Sequence, residues 1–168
     1  MPLLLRSIVE AGNDMALALE RVVTPVVSHP IPPDTSKSAA RLNIDVIFTS
    51  VETTLAALRQ AGSLAHKLGA RITLVVPQVV PYPLPLTSPP VLLDWNDRRF
   101  RVIAEGNSVE TSVRLYLCRD RLETLKSVLC SHSLVVLGGR KRWWPTSEKA
   151  LTRQLRRAGH EVIFVEEE

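Results

Sequence analysis

Cysteine is scarce in this chain. Cys118 and Cys130 stand apart with no C-x-x-C pair, which excludes a disulfide framework and a thiolate metal set and fits a reducing cytoplasm. His29, His66, His132 and His160 are too scattered for a metal or triad motif and read as ordinary surface side chains. There is no G-x-S-x-G, no complete Walker turn and no pair of catalytic carboxylates, so nothing points to catalysis. Aromatic residues make up only 5%. Few of them interleave with arginine as base stacking requires, which sets nucleic acid aside as a partner. Long apolar runs are missing as well. Met1 to Val27 is interrupted by Arg6, Glu10, Asp14, Glu20 and Arg21 and has no positive segment before its apolar start, so neither a spanning helix nor a signal peptide is expected.

What remains, 168 residues with 45% hydrophobic and 23% charged, suffices for one globular domain with a sizeable core. The formal net charge of +4 is unevenly spread: residues 1–40 hold three basic and four acidic side chains, whereas Arg140 to Arg157 hold seven basic ones and a single acid, Glu148. Such a run reads first as a solvated helix face, with nucleotide or an acidic protein surface as the alternative takers.

Along the chain, Leu4, Ile8, Met15, Leu19 and Val22 fall on one helical stripe, which predicts an amphipathic helix over residues 3–23 stopped by Pro25. Its polar face is poor in lysine and arginine, so the helix suits a protein surface better than a membrane. SHPIPPDTSKSAA follows as a linker and sets a boundary between an N-terminal segment, 1–40, and an α/β domain, 41–168.

From residue 41 onward five strand patterns alternate with four helix patterns. IDVIFTS is followed by a helix over Val51 to Leu68 with Ser50 as cap, Leu55, Leu58, Ala61, Ala65 and Leu68 as its buried face and Gly69 at its end. ITLVVP is then followed by six prolines between residues 77 and 90, which predict an irregular extended crossover. A short helix begins near Asp94, with Trp95, Phe100 and Ile103 buried, and leads to SVRLYLC. Asp120 and Glu123 form a D-x-x-E capping box ahead of a helix that buries Leu122, Leu125, Val128 and Leu129. SLVVLGG, a helix over Ser147 to Ala158 and EVIFV complete the series. Such alternation predicts a five-stranded parallel sheet sandwiched by helices, a Rossmann-like doubly wound α/β fold.

The candidate site lies where the apolar run Leu134 to Leu137 meets Gly138 and Gly139. Backbone amides of a glycine turn and of the helix starting near Thr146 or Ser147 are suited to face an anion there. The same turn carries Arg140, Lys141, Arg142 and the pair Trp143 and Trp144. The tryptophans read equally as a cover for the end of the sheet and as functional side chains, one of them plugging the ligand pocket or anchoring a partner protein. Cys118, beside Arg119, reads as a small buried residue at a strand end, with an activated thiolate as the alternative.

These segments, IDVIFTSVETTLAALRQAGSLAHKLGARITLVVP, CRDRLETLKSVLCSHSLVVLGGR and SEKALTRQLRRAGHEVIFV, resemble the universal stress protein family over residues 41–168. The resemblance implies that fold and, in the nucleotide-binding branch, a site made by an aspartate ending the first strand, a Gly-x-x-Gly turn, a spacer and a closing Gly-Ser/Thr. Matched onto this chain, the aspartate's position holds Thr49, followed by Ser50. Gly138 matches the first turn glycine and Gly139 and Arg140 follow it, but the second glycine falls on Lys141. Pro145, Thr146 and Ser147 replace the closing pair. The motif is therefore degenerate. It implies a non-catalytic regulatory or scaffolding protein with no cofactor, or alternatively a stress regulator that binds ATP or AMP through those eight residues, Thr49 to Ser147. The resemblance also implies a homodimer paired through the last strand, Glu161 to Val165, with Glu166 to Glu168 flanking the edge.

Overall fold

The computed structural model describes residues 6–7, 19–23, 42–86, 93–106 and 109–167. Its centre is a parallel sheet of five strands, β3 (Asn43–Ile47), β4 (Arg71–Val79), β5 (Thr111–Cys118), β6 (Leu134–Arg140) and β7 (Glu161–Glu167), in the order β5-β4-β3-β6-β7. Four helices connect them: α1 (Val51–Leu68), α2 (Leu93–Glu105), α3 (Arg121–Val128) and α4 (Ser147–Arg157). The predicted five strands and four helices are all present. The chain winds outward from β3 through β4 to β5, then returns to lay β6 on the other side of β3. That reversal leaves a crevice at the C-terminal ends of β3 and β6, where ligands of open α/β sheets bind.

The N-terminal segment departs from expectation. Where the pattern predicted a helix over 3–23, Leu19–Val23 forms β2, antiparallel to β5, and Arg6–Ser7 forms β1 against β2. The remainder of that predicted helix, and the linker at 28–40, lie outside the described residues. β5, unpaired on its outer side by the other parallel strands, offers a row of backbone groups, and the β-branched Val22 and Val23 suit the ladder that satisfies them.

Each face of the sheet has its own core. On one, Ile44, Val46, Leu74 and Leu115 pack with Ala57, Ala61 and Ala65 of α1 and Phe100 and Ile103 of α2. On the other, Ile47, Val75, Val135 and Leu137 pack with Leu125 of α3 and Leu151 and Leu155 of α4. The buried stripe of α1 is thus made mainly of small residues, which bring the helix axis close to the sheet. Leu55 and Leu68, expected in the core, are exposed, as is Trp95 on α2, whose ring lies under the Arg99 guanidinium instead. Gly69 takes the left-handed conformation, φ 63°, that ends α1.

Two further differences concern the middle of the chain. β4 runs through Pro77 to Val79, where irregular structure was expected. Its pairing with β3 stops at Val75 while that with β5 continues to Val79. Pro77 therefore occupies an edge-like position, where a residue without an N–H is tolerated. Beyond it the Arg119 guanidinium donates to the carbonyls of Val80 and Leu84, both at 2.7 Å, and lies 4.1 Å over the ring of Tyr82. Arg119 thus clamps the crossover. It does not activate Cys118, whose thiol is buried and pushed up by desolvation, which outweighs its bond with Thr124 and the charge of Arg121. The alternative thiolate reading finds no support in this geometry.

The central strand also carries a buried carboxylate that the apolar pattern around it disguised. Asp45 is 7% exposed between Ile44 and Val46. It accepts a 2.7 Å hydrogen bond from the Asn43 amide, whose oxygen in turn accepts from Thr73 at 3.0 Å. Burial pushes its pKa up to about 6, against the opposing effects of Asn43 and Arg114. An acid whose folded pKa exceeds its unfolded value of 3.8 binds more protons in the native state, so its contribution falls as pH rises from about 4 to 6. At about 1.4 kcal/mol per unit, the native state is penalised by roughly 2–3 kcal/mol above that window. Asp45→Asn is accordingly expected to raise stability by about 1–2 kcal/mol at pH 7.5 and hardly at all at pH 4, the remainder being lost to its poorly accommodated NH₂ group. Urea unfolding of both proteins at the two pH values measures the difference.

Candidate functional site

The crevice is built from three chain segments. The end of β3 supplies Thr49 and Ser50, the end of β6 supplies Gly138 to Arg140, and the loop into α4 supplies Arg142 to Ser147. A cleft of about 400 Å³ lies between them, lined by Ser50, Thr53, Gly139, Arg140, Thr146 and Glu148 among others. The cleft lies in the part of the fold where the sequence placed the candidate residues. Of the eight candidates, Ser50, Gly139, Arg140, Thr146 and Ser147 line the cleft, whereas Thr49, Gly138 and Lys141 do not.

Gly138 and Gly139 are not turn residues, as expected, but the last part of β6, buried and paired with Val165 and Glu166. Their lack of side chains serves packing. A Cβ at Gly138 would lie 1.9 Å from the Thr53 carbonyl oxygen in the first turn of α1, and one at Gly139 would lie 2.5 Å from the ring of Phe164. Arg140 closes the strand, and the backbone N–H of Lys141 continues the ladder to the Glu167 carbonyl at 2.9 Å.

The hydroxyls at the end of β3 are spent internally. Thr49 Oγ1 donates to the Gly138 carbonyl at 2.9 Å, and it lies 2.7 Å from Thr53 Oγ1, which lies 2.7 Å from Ser50 Oγ. With Thr49 committed to Gly138, protons run from Ser50 to Thr53 to Thr49, one donor per link. Ser50 also accepts from the Thr53 N–H and so caps α1 with the reciprocal bond of a capping box. This relay ties β3, β6 and α1 together.

Charge is the decisive feature, and it was not anticipated. Thr146 caps α4 by accepting from the Lys149 N–H at 3.3 Å. The Glu148 carboxylate then folds back onto that helix start, with the Ser147 hydroxyl donating to it at 3.1 Å. Burial pushes the Glu148 pKa up, but its own backbone N–H, the Thr146 and Ser147 hydroxyls and the Arg121 charge together outweigh this and hold it below the usual range. A carboxylate held by amide and hydroxyls at a helix N-terminus occupies the position an external anion would take. Arg140, the other obvious anion ligand, is bound to Glu52 at 2.6 Å. Glu52 lies in the first turn of α1, so both helices that point their positive ends at the crevice bring their own carboxylate.

Arg121 is the residue that sequence reasoning missed. It opens α3, donates through Nη2 to the Phe48 carbonyl at the end of β3, and has its Nε buried without a hydrogen-bond partner. Desolvation pulls its pKa down, countered by Glu148. The available signal was an arginine directly after the cap Asp120, where a helix start ordinarily favours acids. Asp120 does cap α3, accepting from the Glu123 N–H at 2.8 Å, but the Glu123 side chain turns to Lys126 rather than completing the expected box.

Trp143 stands clear of the cleft, and Trp144 lines its rim without filling it. They are 104% and 80% exposed. Among the described residues, no group of histidine, cysteine and acidic side chains is placed to hold a metal, and no helix is long and apolar enough to cross a membrane.

No family model and no curated protein matches this chain. Solved structures do. A protein of the universal stress protein family from Burkholderia pseudomallei superposes with a TM-score of 0.51 at 23% identity, over 77% of this chain and 98% of that one. A universal stress protein in complex with cAMP superposes with a TM-score of 0.50 at 15% identity, over 76% of this chain and 98% of the other. The fold is that of the universal stress proteins, as the sequence resemblance implied.

Proposed function

We propose that this chain is a universal-stress-like regulatory or scaffolding protein, without catalysis of its own, that acts in a reducing cytoplasm by homodimerisation and partner binding. The observation that carries this reading is the Glu148 carboxylate seated on the N-terminus of α4. Together with the Arg140–Glu52 pair at 2.6 Å, it neutralises the groups that would otherwise hold phosphate. The glycines that remain are accounted for by packing, and the hydroxyls of Thr49 and Ser50 by the relay between β3, β6 and α1.

Self-association through β7 is supported by its place in the sheet. β7 is the last strand of the order and pairs with β6 alone among the described residues. Antiparallel pairing of two β7 strands would cover that free edge by an isologous contact. An unpaired edge strand requires such cover. Sedimentation equilibrium is expected to give a dimer; a monomer at the highest soluble concentration would remove this part of the proposal.

The second reading is a regulator that binds ATP, AMP or a related adenine nucleotide through an altered phosphate turn. The neighbour crystallised with cAMP favours it. Calorimetric titration with ATP, AMP and cAMP, with and without magnesium, separates the two. Absence of heat at millimolar ligand supports the scaffold, and tight saturable binding supports the nucleotide regulator.

A further inference from the structure

Beside the crevice, on the outer flank of α4, lies a second cavity of about 450 Å³. Trp143, Trp144, Arg153, Arg156 and Phe164 are among the residues that form it, with Thr152 of α4 at its base. Resting on the reading that this protein works by association, we propose that this groove docks an acidic segment of a partner protein that carries an apolar anchor residue.

The apolar part of the argument is the tandem tryptophans. Two indoles at 104% and 80% exposure leave a large apolar surface in water with no internal contact to justify it. Tryptophan and arginine are the residues that most often dominate binding energy when a partner buries them. The half-buried Phe164 extends this surface inward, so an aliphatic or aromatic side chain has an apolar floor to rest on.

The polar part is charge. Lys149 is already bound to Glu166 at 2.9 Å. Arg153 and Arg157 have no carboxylate partner among the described residues, and Arg156 meets only the Val162 carbonyl. These three arginines line the exposed face of α4 and call for carboxylates placed one by one. A single-stranded nucleic acid also offers anions and stacking surfaces, but its evenly repeated phosphates would run against Glu161 and Glu166, exposed along β7 beside the groove. A peptide can position its acids at the arginines and avoid the glutamates. Its occupant is therefore an acidic, apolar-anchored segment.

The test is selection from a random linear peptide library on the immobilised full chain. Enriched sequences are expected to be net acidic with a recurrent tryptophan, phenylalanine or leucine. A synthetic peptide of that sequence should change the tryptophan fluorescence. Its affinity should fall at least ~10-fold in Trp144→Ala and in Arg153→Glu, and be largely kept in Arg153→Lys. Both side chains are exposed, and circular dichroism shows whether each variant keeps its fold. No enrichment, enrichment of basic or uncharged sequences, or binding indifferent to these variants would overturn the proposal. Tighter binding of an oligothymidylate lost in the same variants would overturn it in favour of nucleic acid. Sedimentation of the same variants keeps the two proposals apart, since loss of peptide binding in an unaltered dimer speaks only to the groove.

Discussion

Adding one methyl group at position 138 is expected to cost this protein more than about 3 kcal/mol of stability, a loss in the range of severe core overpacking. The Cβ of Gly138→Ala would stand 1.9 Å from the carbonyl oxygen and 2.6 Å from the carbonyl carbon of Thr53. Those are backbone atoms of the first turn of α1, so no rotamer change relieves the clash. Relief requires α1 to move off β6, and α1 is held there by the Thr49 bond to the Gly138 carbonyl and by the buried Ala57, Ala61 and Ala65. Gly139→Ala should be milder, about 1–2 kcal/mol. Its nearest atoms belong to the side-chain ring of Phe164, which can turn towards the groove beside α4. Urea unfolding of the two variants measures the contrast. A Gly138→Ala protein as stable as its parent would mean that the glycine is present for some other purpose, close approach of a ligand above all.

Removing a carboxylate is expected to open the N-terminus of α4 to an external anion. Glu148→Ala takes away both the negative charge and the side chain seated on the N-terminus of α4, leaving Ser147, the helix amides and the Arg121 charge facing an empty position. Two unit charges about 4 Å apart interact by roughly 4 kcal/mol at a partly shielded surface, and solvent and salt cut this further. An increase of ~10- to 100-fold in affinity for inorganic phosphate or ADP follows, read by calorimetry or by the shift in melting temperature with phosphate concentration. Glu148→Gln, which keeps the shape and removes the charge, should give a smaller gain. The helix itself should lose about 0.3–1 kcal/mol through the missing acid at its first turn. If phosphate binds equally to all three proteins, the carboxylate is not what closes the cleft.

The sequence determined more of this molecule than its weak likeness to solved structures would suggest. Short β-branched runs, alternating with helix patterns that begin at Ser50, Asp120 and Thr146 and stop at Gly69 and Gly159, specify local structure through capping and chain sterics that need no distant contact. Their alternation leaves few topologies, so the parallel sheet and the location of its crevice were both legible.

Tertiary structure decided everything that depends on which side chains meet. Leu55 and Leu68 look like core on a helical wheel, but apart from Leu58 the face of α1 that meets the sheet is made of small residues. A strand formed at Leu19–Val23 because the open side of β5 was available to pair with it, a long-range opportunity that a helical stripe in the sequence does not record. Gly138 and Gly139 proved to be packing residues because α1 and Phe164 press against β6. Glu148 and Arg121 are separated by 27 positions, and Glu52 and Arg140 by 88. Only folding brings each pair to the same crevice, where Glu148 stands near the Arg121 charge and Glu52 binds Arg140.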